Sequence, residues 1–207
     1  MIINCQRPLM IERIVKLEIS IRKVSGTIVD DPTELQNFVL KCEGLIQQWI
    51  NENEKMKRVH ETVIGQFIEL YDVDLFSNKK KWTKVIEDAK SNIDKVCAGK
   101  PEDNKIVWTN HLSCQLLKVL EYQLKRCFLQ IGTLLPKIQA QVRASKKKLY
   151  IVPAVNDIRA SIFQEINKLL AFPRTFQFYK NWDHFCSYLP DHCAEFLQVG
   201  YSEADRI

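Results

Sequence analysis

The feature that most restricts the fold is a heptad spacing of apolar residues that recurs along the chain. Met10, Ile14, Leu17, Ile21, Val24 and Ile28 follow one another at intervals of 4, 3, 4, 3 and 4, the a/d stripe of a helix that buries one seam. Leu117, Leu120, Leu124, Cys127, Ile131 and Leu134 repeat it at 3, 4, 3, 4 and 3. Between them Leu35, Phe38, Cys42, Leu45 and Trp49, then Met56, Val59, Val63 and Phe67, hold nearly one phase across the polar patch of residues 51–54. Long amphipathic helices are therefore expected from the N-terminus to about residue 135.

Breaks in the pattern place the helix ends. The first helix, about residues 8 to 28, stops at Val29–Asp30–Asp31–Pro32, because the residue before a proline disfavours the helical region. Asp31 as N-cap, Pro32 at the first helical position and Glu34 three after the cap form a capping box that opens the second helix. That helix runs some 40 residues or bends near Asn53, and Phe76–Ser77–Asn78 closes the unit. Trp82, Val85, Ile86, Ala89, Ile93 and Val96 make a third, ending where Gly99 suits a helix C-cap. A loop over 99–104 leads to the fourth helix, halted by Pro136.

From Ile138 the period becomes two. Ile138, Ala140, Val142 and Ala144 alternate with polar residues, and residues 149–152 form a short β-prone run, so a hairpin turning at 145–148 is expected. Asn156 is placed to cap a fifth helix carrying Ile158, Ile162, Ile166, Leu169 and Leu170, which Pro173 ends. A last helix is expected over roughly 183 to 205, with Phe185, Leu189, Phe196 and Val199 inward. Nothing in residues 201–207 closes it, so the chain reads as a piece of something longer. The fold class is all-α: an elongated bundle of long heptad-patterned helices with one small β-hairpin near 138–152. Two parts are expected, an N-terminal long-helix bundle over 1–111 and a helix, hairpin and helix unit over 112–207.

Composition excludes several functions. The chain has 207 residues, 30 basic against 25 acidic, and a net charge of +5 with the two signs interleaved, which does not by itself suggest nucleic acid. Its six glycines are too scattered to write G-x-x-x-x-G-K-[ST] or G-x-G-x-x-G, so no phosphate-cradling loop is present. No cofactor is expected. The sequence has no apolar run of about 18 residues and its N-terminus lacks a signal-peptide pattern, so neither secretion nor a membrane span is expected. Seven cysteines at irregular positions fit reduced thiols in a cytosolic compartment.

No constellation builds an active site. His184, Cys186, His192 and Cys193 are the densest metal-ligand cluster, but the spacing lacks the C-x2-4-C knuckle of structural zinc sites. The cysteines read as small buried hydrophobes instead of nucleophiles. Carboxylate pairs such as Glu52 with Glu54 and Asp72 with Asp74 sit i, i+2 apart and diverge on a helix. Catalytic, cofactor-binding and metal residues are therefore assigned to none. Two basic runs beside aromatic residues, Lys79–Lys80–Lys81 with Trp82 and Lys146–Lys147–Lys148 with Tyr150, are candidate anionic contacts or solvated helix and turn surfaces. The stripe of Met10, Ile14, Leu17, Ile21, Val24 and Ile28 is the candidate interaction surface, seated on another chain or another section of the same one.

Short motifs in the second half add a family resemblance. Residues 120–123 (Leu-Glu-Tyr-Gln), 134–138 (Leu-Leu-Pro-Lys-Ile), a basic hairpin before 149–153 (Leu-Tyr-Ile-Val-Pro), 157–160 (Asp-Ile-Arg-Ala) and 172–176 (Phe-Pro-Arg-Thr-Phe) occur in that order, followed by 196–199 and 201–204. This arrangement resembles the tail of dynein heavy chains over residues 112–207, where a long helix leads to a two-stranded turn, a proline-led helix and a Pro-x-x-Phe break. The chain departs from the pattern in lacking a glycine that often follows that break and in the aromatic run of residues 176–182. The cytoplasmic, intraflagellar and axonemal branches thus stay open.

The resemblance implies a non-catalytic segment of a microtubule motor's heavy chain, mediating complex assembly and cargo or axoneme attachment. Its partners would be intermediate and light chains or the rest of a longer heavy chain, with no small-molecule substrate. Its location would be the cytoplasm and cytoskeleton, including the axoneme of a cilium or flagellum. The other reading is an independent helical adaptor or scaffold module. A third is an RNA- or phosphoinositide-binding helical protein using the lysine runs.

Overall fold

The computed structural model describes residues 18–19, 32–100, 102–130, 141–145 and 148–195. Helix α1 is Pro32–Glu69, followed by a 3-10 turn at Leu70–Asp72, α2 (Lys79–Cys97) and α3 (Glu102–Leu129). Strands β1 (Gln141–Ser145) and β2 (Lys148–Val152) form the hairpin, and α4 (Val155–Ala171) leads through a 3-10 segment, Phe172–Phe176, to α5 (Trp182–Ser187) and α6 (Leu189–His192). The chain is thus mostly helical with one small antiparallel hairpin, and among the described residues no helix is long and apolar enough to cross a membrane. The stripe of residues 10–28 and the Asp31 cap lie outside the described residues.

Helix α1 is continuous through Asn53 for 38 residues. The polar patch does not break it because its side chains bond along the helix: Gln47 Nε2 donates to Asn51 Oδ1 at 2.9 Å, and Arg58 pairs with Glu54 at 3.5 Å. Such i, i+4 pairs are each worth a few tenths of a kcal/mol. Helix α2 ends as expected, with Gly99 at φ +72° and the Lys100 N–H donating to the Cys97 carbonyl at 3.1 Å. Helix α3 starts earlier than its predicted loop allowed, with Glu102 and Asp103 in its first turn, where acidic charge complements the helix dipole. Its buried set is also wider than a heptad seam. Leu116, Leu117, Val119, Leu120, Leu124, Cys127 and Phe128 are all at most 9% exposed, an arc that only a helix flanked on more than one side can bury.

Two expectations are corrected. Asn156 is exposed and inside α4, whose N-cap is Ala154 with no side-chain cap bond. Ala154 is extended at φ −62°, ψ 148°, and its carbonyl accepts from the Asp157 and Ile158 N–H groups, so the helix begins before Asn156 can cap it. The last helix is not continuous either. It breaks at Tyr188, between α5 and α6, just before Pro190, which sits in the first turn of α6 and supplies no N–H to an ongoing helix. Residues 196–205 lie outside the described set.

The chain divides into two compact units, one of residues 1–65 and 88–112 and the other of 66–87 and 113–207, so α1, α2 and α3 each serve both. In the first, Met56, His60 and Val63 of α1, Ala89, Ile93 and Cys97 of α2, and Trp108 and Leu112 of α3 are buried. Trp108 Nε1 donates to His60 Nδ1 at 3.0 Å, and the His111 ring stacks on His60 at 5.5 Å. Burial, then the His111 charge, lower the His60 pKa from its ordinary value, with Glu61 opposing. Because the folded state holds this proton less tightly than the unfolded state, stability is full above about pH 6.5 and declines below it, by at most about 1.4 kcal/mol per pH unit for one proton. Urea unfolding at pH 7.5 and 5.5 should show that loss, and His60→Gln should flatten it. An unchanged pH slope in the variant would remove His60 as the cause.

In the second unit each tryptophan ties down a turn. Trp82 Nε1 donates to the Val73 carbonyl at 3.0 Å and Trp182 Nε1 to the Pro173 carbonyl at 2.7 Å, both side chains being essentially fully buried. Phe178 meets Phe67 and Trp182 edge-on at 5.9 and 5.8 Å. Trp182, Cys186, Leu189 and Cys193 are buried at spacings of 4, 3 and 4. The heptad rule thus holds across the α5–α6 break. Gln177, after the 3-10 segment, takes a left-handed backbone at φ 43°, a conformation that favours glycine.

Candidate interaction surface

Among the described residues the chemistry-bearing side chains do not converge. Cys186 and Cys193 are buried while His184 and His192 are exposed. His192 Nδ1 lies 3.5 Å from Glu121, and His184 Nε2 lies 3.3 Å from the Tyr188 hydroxyl. Among the described residues no group of three or more His, Cys, Asp or Glu side chains could hold a metal. Burial pushes the thiols of Cys97, Cys127 and Cys193 up to about 11 and that of Cys186 up to about 12, away from the thiolate a nucleophile requires. Asp74 Oδ1 accepts from the Ser77 N–H at 2.7 Å, which makes it part of the turn before α2.

The basic residues separate into two environments. The Lys79 ammonium lies 5.5 Å from the ring centres of both Phe76 and Phe172, a cation–π clamp, while Lys80 and Lys81 are exposed at the start of α2. Lys148 is exposed on β2 opposite Ser145, and Lys146 and Lys147 lie outside the described residues.

The hairpin has two chemically different faces. Its register pairs Val142 with Ile151 and Ala144 with Leu149, and between them Gln141 with Val152, Arg143 with Tyr150, and Ser145 with Lys148. Alternate residues point to opposite sides of a sheet. One face is therefore wholly apolar and the other carries the basic side chains. Val142 is 70% exposed, Leu149 77% and Ile151 44%. The period-two pattern signalled the hairpin, but the apolar face becomes visible only once the register is known.

Helix α1 has a second uncovered strip. Within the first unit Met56 and Val63 are at most 1% exposed, whereas Leu35, Val39, Ile46 and Trp49 are 39–48% exposed and Phe38, Cys42 and Leu45 partly so. Among the described residues, the apolar repeat therefore runs past its cover.

The comparisons with known proteins give these surfaces a context. Over 184 residues, 84% of its length, the chain is 24% identical to cytoplasmic dynein 2 heavy chain 1 of Rattus norvegicus. This chain resembles a segment of a dynein heavy chain. The human protein of the same name is 24% identical over 183 residues, and that of Caenorhabditis elegans 22% identical over 217 residues, covering 99% of this chain. The chain spans only about 4–5% of the length of these dynein heavy chains. No family model matches it. An alignment of 184 residues cannot fit within 112–207, so the dynein likeness reaches into the long helices where no short motif announced it.

Proposed function

We propose that the chain is a non-catalytic structural and assembly segment of a dynein-type heavy chain tail, of the branch named cytoplasmic dynein 2. The carrying observation is the agreement of relatives from rat, human and nematode over 84–99% of the chain. The helical build supports it: long helices are stiff, and their unfilled apolar strips suit docking to other helices. Among the described residues the polar side chains are dispersed, and burial holds the thiols of Cys97, Cys127, Cys186 and Cys193 protonated. Partners would be other dynein subunits or the rest of a longer heavy chain, in the cytoplasm and cytoskeleton, including the cilium. In this reading the stripe of residues 10–28 is an association surface. Affinity purification of the tagged chain from ciliated and non-ciliated cells tests the proposal. Recovery of dynein intermediate chains, reduced by Leu17→Asp, is the expected result; their absence from both preparations would overturn it.

A further inference from the structure

The hairpin points to a particular kind of partner. Between Glu121 and Asp157 the sequence has no acidic residue but seven basic ones, four of them Arg143, Lys146, Lys147 and Lys148 of the hairpin region. In a chain whose net charge is only +5, this segment alone accounts for +7, leaving −2 for the rest (5 − 7 = −2). The two strands pair only with each other among the described residues, so each offers a free edge of backbone N–H and C=O groups. Isolated two-stranded hairpins are marginal in water, and an exposed apolar edge is a template for a further strand. This one keeps Val142, Leu149 and Ile151 in solvent.

We infer that the hairpin is a β-augmentation site for an extended acidic segment of a partner protein, one in which carboxylate and aliphatic residues alternate. Backbone bonds to a free edge align the added strand. Its aliphatic side chains then extend the face of Val142, Ala144, Leu149 and Ile151, and its carboxylates extend the face of Arg143 and Lys148. The alternation is required because the two faces differ in chemistry at period two. A flat anionic membrane or an RNA would use the charge but not the strand edges, and RNA would leave the aliphatic face in water. The inference rests on reading the chain as an assembly segment and specifies the chemistry of one of its contacts.

The test is fluorescence polarisation with the 207-residue chain and a short labelled peptide alternating Glu and Val. Binding should weaken with salt, fall about tenfold in Arg143→Glu/Lys148→Glu, the loss expected from about 1.4 kcal/mol, and fall similarly in Leu149→Ser/Ile151→Ser. A peptide N-methylated at alternate residues, which keeps charge and side chains but cannot complete the strand ladder, should not bind. Circular dichroism should show the variants as helical as the parent, since the altered side chains are exposed or at the edge. Equal binding of the N-methylated peptide, no binding of the Glu–Val peptide, or stronger binding to phosphatidylserine vesicles or polyuridylate would each overturn the inference. If the peptide binds but no intermediate chain is recovered from cells, the assembly reading fails and the hairpin site stands. Recovery of intermediate chains with no peptide binding gives the reverse.

Discussion

Trp82→Ala is expected to destabilise the second unit by about 3–5 kcal/mol. Trp82 is fully buried, so truncation leaves a cavity that local relaxation fills only in part. The indole N–H also occupies the Val73 carbonyl, and a buried acceptor left unpaired adds about 1–3 kcal/mol. The turn that carries the chain from α1 to α2 would lose its anchor. In urea unfolding followed by circular dichroism the midpoint should drop markedly, with Trp82→Phe intermediate because it keeps much of the volume but loses the donor. A midpoint unchanged in Trp82→Ala would show that the turn is held by other contacts.

Gln123→Leu should give the second largest loss, about 1–3 kcal/mol, although it replaces a polar side chain in a core by an apolar one of similar size. Gln123 is fully buried on α3, and its Nε2 donates to the carbonyls of Leu70 and Tyr71 at 3.1 and 2.6 Å. Both carbonyls belong to the 3-10 turn that follows α1, a helix end where carbonyls lack a full set of partners. Leucine strands the Tyr71 carbonyl and leaves the Leu70 carbonyl with the Val73 N–H at 3.3 Å alone. Its Oε1 has no hydrogen-bond partner, so removing that oxygen offsets a small part of the cost. Gln123→Glu is the companion variant: it keeps the shape and removes the donors, adding a buried charge. If thermal unfolding of Gln123→Leu matched the parent, the helix end would be supported elsewhere.

Both residues illustrate how legible the fold was. Trp82 belongs to an apolar repeat and was expected to be inside; Gln123 does not, and nothing in its neighbourhood marks it as a helix-ending donor. Its partners are more than 50 residues away in sequence, so only packing brings them together. The same applies to Lys79, which reads as part of a solvated basic run until Phe172 arrives from the far side of the hairpin to cover it. Cys186 and Cys193 were recognisable as buried because free cysteine behaves as a small hydrophobe. The Asn156 cap failed because Val152–Pro153–Ala154 directs the chain into the helix before that residue is reached.

By itself the sequence determined the helical class, the helix-ending role of Gly99, the hairpin and the absence of a phosphate-loop glycine pattern. Each is a local property: a 3.5-residue repeat, a left-handed glycine, a period-two run or a missing glycine pattern acts within a few residues. The tertiary structure alone decided which apolar stripes are covered. Met56 and Val63 lie inside while Leu35 and Trp49 of the same helix do not, and the hairpin's aliphatic face stands in solvent. Coverage depends on neighbours supplied by distant parts of the chain, and local spacing carries no record of them.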